Sequence, residues 1–222
     1  MRKILSLLYG IKERTRLFFY RRWASERLPY KSQDGQDWWV DQMLSQKREG
    51  FFLDLAAADG VWISNTHFLE KQRNWNGICI EPNQEMFEKL CKARNVVCVN
   101  QCISDKRELV RFRIDKGVVG GIVASDTDNK PGSGGEIVEM EAITLTELLD
   151  NTNAPHYIDY FSLDVEGSED RVIRGLNFKK YKFGLITIER PSQYVDSALK
   201  SHGYRKERQI KQDVYYVGSI SI

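Results

Sequence analysis

The residues best able to do chemistry fall in three places. Phe52-Leu53-Asp54-Leu55-Ala56-Ala57-Ala58-Asp59-Gly60 runs from an apolar stretch through small side chains toward Ser64, which opens a helical pattern with Phe68 and Leu69. Small residues let the backbone approach a ligand, and the first amides of a helix are free to donate. Twenty-one residues beyond Gly60, Glu81 closes a second apolar run, ahead of Pro82-Asn83. A carboxylate at that distance suits a ribose diol, so the pair points to a nucleotide-type cofactor. The third place holds Asp164, Glu166 and Glu169, with Glu189 closing a later run.

The loop chemistry narrows the cofactor. A dinucleotide fingerprint needs G-x-G-x-x-G so that a pyrophosphate can lie on the helix start. Here there is one glycine and two acids, Asp54 and Asp59. Carboxylates repel a pyrophosphate and suit a cationic tail. S-adenosylmethionine, with an ammonium and a sulfonium and no phosphate, is therefore expected over a nicotinamide dinucleotide.

Side chains alternate along a strand, so Asp164 and Glu166 at the end of a fourth strand are expected on one side, with Glu189 at the same sheet edge. Such carboxylates can deprotonate an acceptor hydroxyl or hold a divalent cation, magnesium or manganese, that does so. Hydrogen bonding to nearby backbone amides is the structural alternative. Glu169, in a first helical turn, is read as favouring the helix dipole. His67, His156 and His202 sit in ordinary helical or loop settings.

These residues need elements to hold them. The 222 residues, 41% apolar and 11% aromatic, suffice for one large domain and exclude a disordered chain. Apolar runs at 51–55, 77–80, 96–99, 157–165 and 183–188 alternate with helical patterns, which implies an α/β fold with a mostly parallel sheet covered on both faces. Residues 205–210 and 214–217 read as a C-terminal antiparallel hairpin. Residues 109–114 and 137–143 read as extended, separated by a glycine- and aspartate-rich stretch at 115–135 expected to be a mobile loop.

The 33 basic residues nearly balance the 31 acidic ones, so nucleic acid is not expected as a partner. Residues 1–30 carry eight Lys/Arg and two Glu, leaving the rest mildly acidic. Residues 1–31 thus form a basic amphipathic arm ahead of a domain at 32–222. The arm is expected to pack on the domain or on a second subunit, with an interfacial membrane helix as the other reading. Cys79, Cys91, Cys98 and Cys102 are read as reduced and packed. No apolar run reaches the roughly 18 residues of a membrane span, and a soluble, cytoplasmic protein is expected.

The ordered motifs also carry a resemblance. Ser32-Gln33-Asp34-Gly35-Gln36-Asp37, the loop from Phe52 to Gly60 with Ser64-Asn65-Thr66, Ile80-Glu81-Pro82-Asn83 and Gln101-Cys102-Ile103-Ser104-Asp105 come first. Ser162-Leu163-Asp164-Val165-Glu166-Gly167-Ser168-Glu169 and Ile188-Glu189-Arg190-Pro191 follow. Together they resemble the FkbM-type methyltransferases over residues 32 to about 217. The resemblance implies a class I, Rossmann-like methyltransferase fold and O-methylation of a sugar, glycan or other hydroxylated small molecule. On the matching positions it implies cofactor contacts from Gln36, Asp54, Ala56, Asp59, Gly60, Glu81, Pro82, Asn83 and Ser104. Acceptor chemistry falls to Asp164, Glu166 and Glu189. The family loop commonly has glycine where this chain has Ala56.

Overall fold

A computed structural model describes residues 30–132 and 134–218; the basic arm, but for its last two residues, lies outside them. The chain opens with α1 (Gln36–Met43), β1 (Phe51–Leu55), α2 (His67–Arg73), β2 (Asn76–Ile80), α3 (Gln84–Ala93) and β3 (Val97–Val99). Four strands follow: β4 (Cys102–Ser104), β5 (Glu108–Arg113), β6 (Gly121–Ile122) and β7 (Ile137–Thr144). The rest alternates as α4 (Leu145–Asn151), β8 (Tyr157–Leu163), α5 (Glu169–Arg174), β9 (Lys182–Glu189) and α6 (Gln193–Ser201), and ends in β10 (Arg205–Ile210) and β11 (Asp213–Val217).

The main sheet runs β10-β11-β9-β8-β1-β2-β3. Its β3, β2, β1, β8 and β9 are parallel, while β11 pairs antiparallel with β9 and with β10. The central strands are buried at nearly every position because helices cover both faces. Leu148, Val172, Ile173, Val195 and Leu199 bring α4, α5 and α6 onto one face. Trp39, Val40, Phe68, Leu69 and Leu90 bring α1, α2 and α3 onto the other. Trp39 meets Tyr215 edge-on at 4.9 Å, which ties α1 to the C-terminal hairpin. Among the described residues no helix is long and apolar enough to cross a membrane.

Several expectations change. The two extended runs pair with each other, β5 antiparallel to β7, and with β4 and β6 they make a second four-stranded sheet. Residues 115–135 are not one featureless loop, since they contain a 3-10 turn (Gly117–Val119), β6 and a bridge from Val123 to Asn129. Strand β8 stops at Leu163, so Asp164 and Glu166 are not placed by strand alternation; Glu166 turns through a left-handed φ of 54°. Of the four cysteines, all free thiols, Cys79 and Cys102 are buried, but Cys91 is exposed rather than packed. Helix α2 starts at His67, with the Ser64 hydroxyl accepting the amides of Thr66 and His67 from before its first turn. Tyr30, the first described residue, packs its ring at a tilt against Phe68 with centroids 4.0 Å apart, and its hydroxyl donates to Asp41.

Candidate active site

The chain winds from β1 to β2 and β3 in one direction, then returns to build β8 and β9 on the other side of β1. A crevice at the carboxyl ends of β1 and β8 is the place where such sheets bind ligands. The β1–α2 loop forms its floor. Asp54 is buried beneath that loop and accepts the Thr66 hydroxyl at 2.6 Å. Burial raises its pKa against the opposing pull of Thr66, Arg94 and Ser162. Ala56 and Ala58 both take positive φ, 63° and 49°.

Gly60, at φ +77°, has no room for a side chain: a Cβ there would stand 2.6 Å from Leu90 and 2.8 Å from Arg94. Arg94, fully buried, donates to Glu70, to the Gly60 carbonyl at 3.1 Å and to the Thr66 hydroxyl at 3.0 Å. It thereby fastens the loop to α2 and to the end of α3. Asp59 accepts the amides of Val61 and Trp62 at 2.9 and 2.8 Å, so its carboxylate shapes the turn. That turn presents Trp62, which is 58% exposed.

Left-handed backbone costs an alanine about 1–2 kcal/mol. A glycine pays less there, although it has more unfolded-chain freedom to lose. Ala56→Gly is expected to stabilise the protein by about 0.5–1 kcal/mol, read as a rise in Tm of roughly 1–4 °C. An unchanged or lower Tm would show the loop unstrained at that position.

Two pockets flank Ala56. The first is a narrow slot whose walls include Leu55, Ile80, Ile103 and Ile122, with Glu81 and Pro82 at one side. Glu81 is buried, and its two oxygens accept the Ala58 amide at 2.9 Å and the Asn83 amide at 2.8 Å. Burial pushes its pKa up to about 7 against those two hydrogen bonds. Asn83 caps α3 through the Met86 amide and donates to the Ile114 carbonyl at 3.0 Å. The buried Ser104 hydroxyl donates to Glu108 at 2.9 Å, so it braces β4 against β5.

The second pocket, about 260 Å³, is lined by Asp54, Ala57, Trp62, Asp164, Glu166 and Glu189 among others, with Val118 and Val119 of the 3-10 turn on its wall. It opens into a smaller polar recess shared with Asp164 and Glu189 and lined further by Asp34, Gln36 and Asp213. Gln36 donates to Asp213 at 2.8 Å there, on the far side from the apolar slot. Lys211 pairs with Asp34 at 2.8 Å.

Asp164, Glu166 and Glu189 each bring a carboxylate oxygen within 4.8 Å of the others. Asp164 Oδ1 is buried without a hydrogen-bond partner. Burial, followed by the charges of Glu189 and Glu166, holds the Asp164 pKa well above the ordinary carboxylate range. Glu169 stays apart from the trio: its Oε1 accepts the Val165 and Gly167 amides, which fixes the turn leading into α5.

An apolar slot for a flat base, a carboxylate with unused lone pairs for a diol, and an acid-lined cavity for a cationic tail meet across one alanine. That donor set fits S-adenosylmethionine. The structure brings Ala56, Glu81 and Pro82 to the slot, and Asp54 with the carboxylate trio to the cavity. It turns Asp59, Asn83 and Ser104 toward their own loops and caps, and it sets Gln36 in the acidic recess. His156 stacks on Tyr181, His202 stacks on Phe178, and all three histidines stand outside these pocket linings. Sequence reasoning missed Arg94 and did not single out Arg190, whose guanidinium lies against Glu166 and Glu189.

The family described as Methyltransferase FkbM domain matches residues 54–206. No curated protein sequence matches the chain. Among solved structures, precorrin-6y C5,15-methyltransferase from Geobacter metallireducens GS-15 is 13% identical with a TM-score of 0.46, over 85% of this chain and 89% of that one. The METTL16 MTase domain is 10% identical with a TM-score of 0.46, over 81% of this chain and 64% of that one. The family match spans the β1 loop, Glu81 and the carboxylate trio: the chain belongs to the FkbM methyltransferase domain family and is an S-adenosylmethionine-dependent methyltransferase.

Proposed function

We propose that the protein transfers the methyl group of S-adenosylmethionine to a hydroxyl of a sugar or glycan. The observation that carries this reading is the convergence of Asp164, Glu166 and Glu189 in a cavity joined to the apolar slot across Ala56. A polyhydroxylated acceptor suits a cavity rich in carboxylate and amide oxygens, with exposed Trp62 at its wall. A cytoplasmic location fits the four free thiols. The basic arm is assigned to assembly or to acceptor localisation, and is held dispensable for cofactor binding.

When bound, S-adenosylmethionine supplies an electrophilic methyl on a sulfonium. The chain's own residues do the rest. Glu81 holds the diol end, and Asp54 steadies the loop through Thr66. Asp164, whose carboxylate lines the cavity, takes the proton that the acceptor oxygen loses as it becomes a nucleophile. Alignment of donor and acceptor can contribute roughly 7–11 kcal/mol at its upper limit, and a positioned base adds to that.

The direct test is transfer of labelled methyl to a panel of free and linked sugars. Labelled sugar ethers are the expected product. Labelling confined to non-sugar hydroxyls in a parallel panel would keep the methyltransferase and overturn the sugar. A second reading, a divalent cation held by the trio, is favoured by the 4.8 Å convergence. Under that reading a chelator abolishes transfer and magnesium or manganese restores it.

The cofactor assignment has its own test. Glu81→Ala is expected to weaken binding of S-adenosylhomocysteine by about 1–3 kcal/mol, because hydroxyl and amide partners lose their acceptor. Affinity in the parent protein should rise with pH through about 7, as the carboxyl ionises and becomes a stronger acceptor. Glu81→Gln should flatten that rise. Calorimetry finding equal affinity and an unchanged pH profile in both variants would remove Glu81 from the cofactor site.

A further inference from the structure

Arg190 directly follows Glu189 and has φ 46°, a left-handed conformation that a long side chain keeps only where its surroundings hold it. Its amide donates to the Gln212 carbonyl at 2.9 Å. Its guanidinium stands among three carboxylates: Asp128 at 2.5 Å, Glu189 at 2.7 Å and Glu166 at 3.2 Å. Two of these belong to the trio whose oxygens converge within 4.8 Å. A cation bridging Glu166 and Glu189 therefore already exists, and it is part of the chain. A guanidinium is planar and permanently charged, with several donors fixed in a fork, so it can bridge carboxylates on different segments at once.

Asp128 lies on the 115–135 crossing, and its amide donates to the Glu166 carbonyl at 3.1 Å. Gly167, at φ +91°, allows this approach, since a Cβ there would stand 2.8 Å from the Asp128 amide nitrogen. A single guanidinium nitrogen, Nη2, thus joins the strand end, the turn after β8 and the crossing that walls the cavity. On the far side of the recess, Lys211 is engaged with Asp34. Asp164 Oδ1 is left without a partner.

We propose that Arg190 is the built-in cation of the acceptor site. It is a positioning residue that bridges Glu166, Glu189 and Asp128, takes the place a divalent metal would fill, and leaves Asp164 as the uncompensated carboxylate. The proposal rests on the acceptor-site reading above and decides between its two versions, since a tethered guanidinium and a bound metal compete for the carboxylates of Glu166 and Glu189.

Manganese titration followed by electron paramagnetic resonance tests it on the full chain, with S-adenosylhomocysteine affinity measured in each variant. The parent protein is expected to show no stoichiometric manganese site. Arg190→Ala should gain one, binding roughly tenfold tighter or more than any parent site, because a fixed positive charge beside the incoming cation is gone. Arg190→Lys, which keeps a charge there, should exclude manganese as the parent does. Stoichiometric manganese binding by the parent, lost in Glu189→Gln, would overturn the proposal, as would an Arg190→Ala that gains nothing. If Arg190→Ala does not fold, Arg190→Gln replaces it, and the parent titration still decides. Loss of S-adenosylhomocysteine binding in the parent would instead count against the methyltransferase site, leaving the manganese result to stand by itself.

Discussion

Replacing Asp164 by Asn lowers methyl-transfer turnover by about 10²–10⁴-fold, the range of a lost general base, while S-adenosylhomocysteine affinity changes little. The expectation follows from environment. Burial, with the charges of Glu189 and Glu166 beside it, raises the Asp164 pKa, so its ionised form is an unusually strong proton acceptor. A cationic cofactor bound beside it would favour that ionised form. Turnover in the parent should therefore rise with pH as Asp164 loses its proton, and the rise should vanish in Asp164→Asn. The amide keeps the size and one oxygen of the carboxylate, so the loss reports proton transfer and not a collapsed cavity. Full turnover in Asp164→Asn, with both substrates saturating, would leave alignment alone to drive the reaction.

Arg94→Met should be the most destabilising single change near the site. Arg94 is fully buried and its partner Glu70 is 6% exposed. Removing one member of such a pair leaves a buried charge that costs about 3–5 kcal/mol. For a domain of this size that is a fall in Tm of roughly 6–20 °C. The loop from Gly60 to Thr66 loses two anchors in the same stroke, so S-adenosylhomocysteine binding weakens as well.

The effect has a pH signature. Burial raises the Glu70 pKa, but hydrogen bonds from Lys71, Arg94 and the Asn95 amide outweigh it and bring the value below the ordinary 4.5. A depressed folded pKa contributes stability above the unfolded value and loses it as pH falls through the folded one. The stability gap between parent and Arg94→Met should thus narrow below pH 4.5. A variant melting within a degree or two of the parent would show Glu70 satisfied by Lys71 and Asn95 alone.

The sheet was legible because its central strands are apolar at almost every position, and Glu81 was legible because it ends one of them. The second sheet was not. Strand β5 buries only alternate residues for much of its length, which marks a strand, but nothing local says that Arg111 will face Glu139. Arg94 reads as a basic residue ending a helix, a common surface feature, and its buried partner lies 24 positions away. Glu166 and Asp164 converge through a left-handed turn and not through strand period; the adjacent Gly167 was the available hint. Asp59 carries the right charge for a cationic ligand, and one of its oxygens, Oδ1, also accepts the amides of Val61 and Trp62, a local turn preference that charge and spacing do not reveal.

The strand order also sets a schedule for synthesis. On one edge β1 pairs with β2, where Phe52 meets Gly77, but on its other edge Phe52 waits for Tyr160. At roughly 5–20 residues per second, a ribosome leaves that edge open for about 5–20 s after β1 has emerged. Throughout this interval the nascent chain carries the Asp54 loop without the Asp164 wall, and an apolar strand with unpaired amides and carbonyls. An open edge of that kind pairs with whatever extended chain arrives, including a neighbouring copy on the same message. The switch in strand order that creates the crevice thus leaves the unfinished chain with an open central edge until β8 is made.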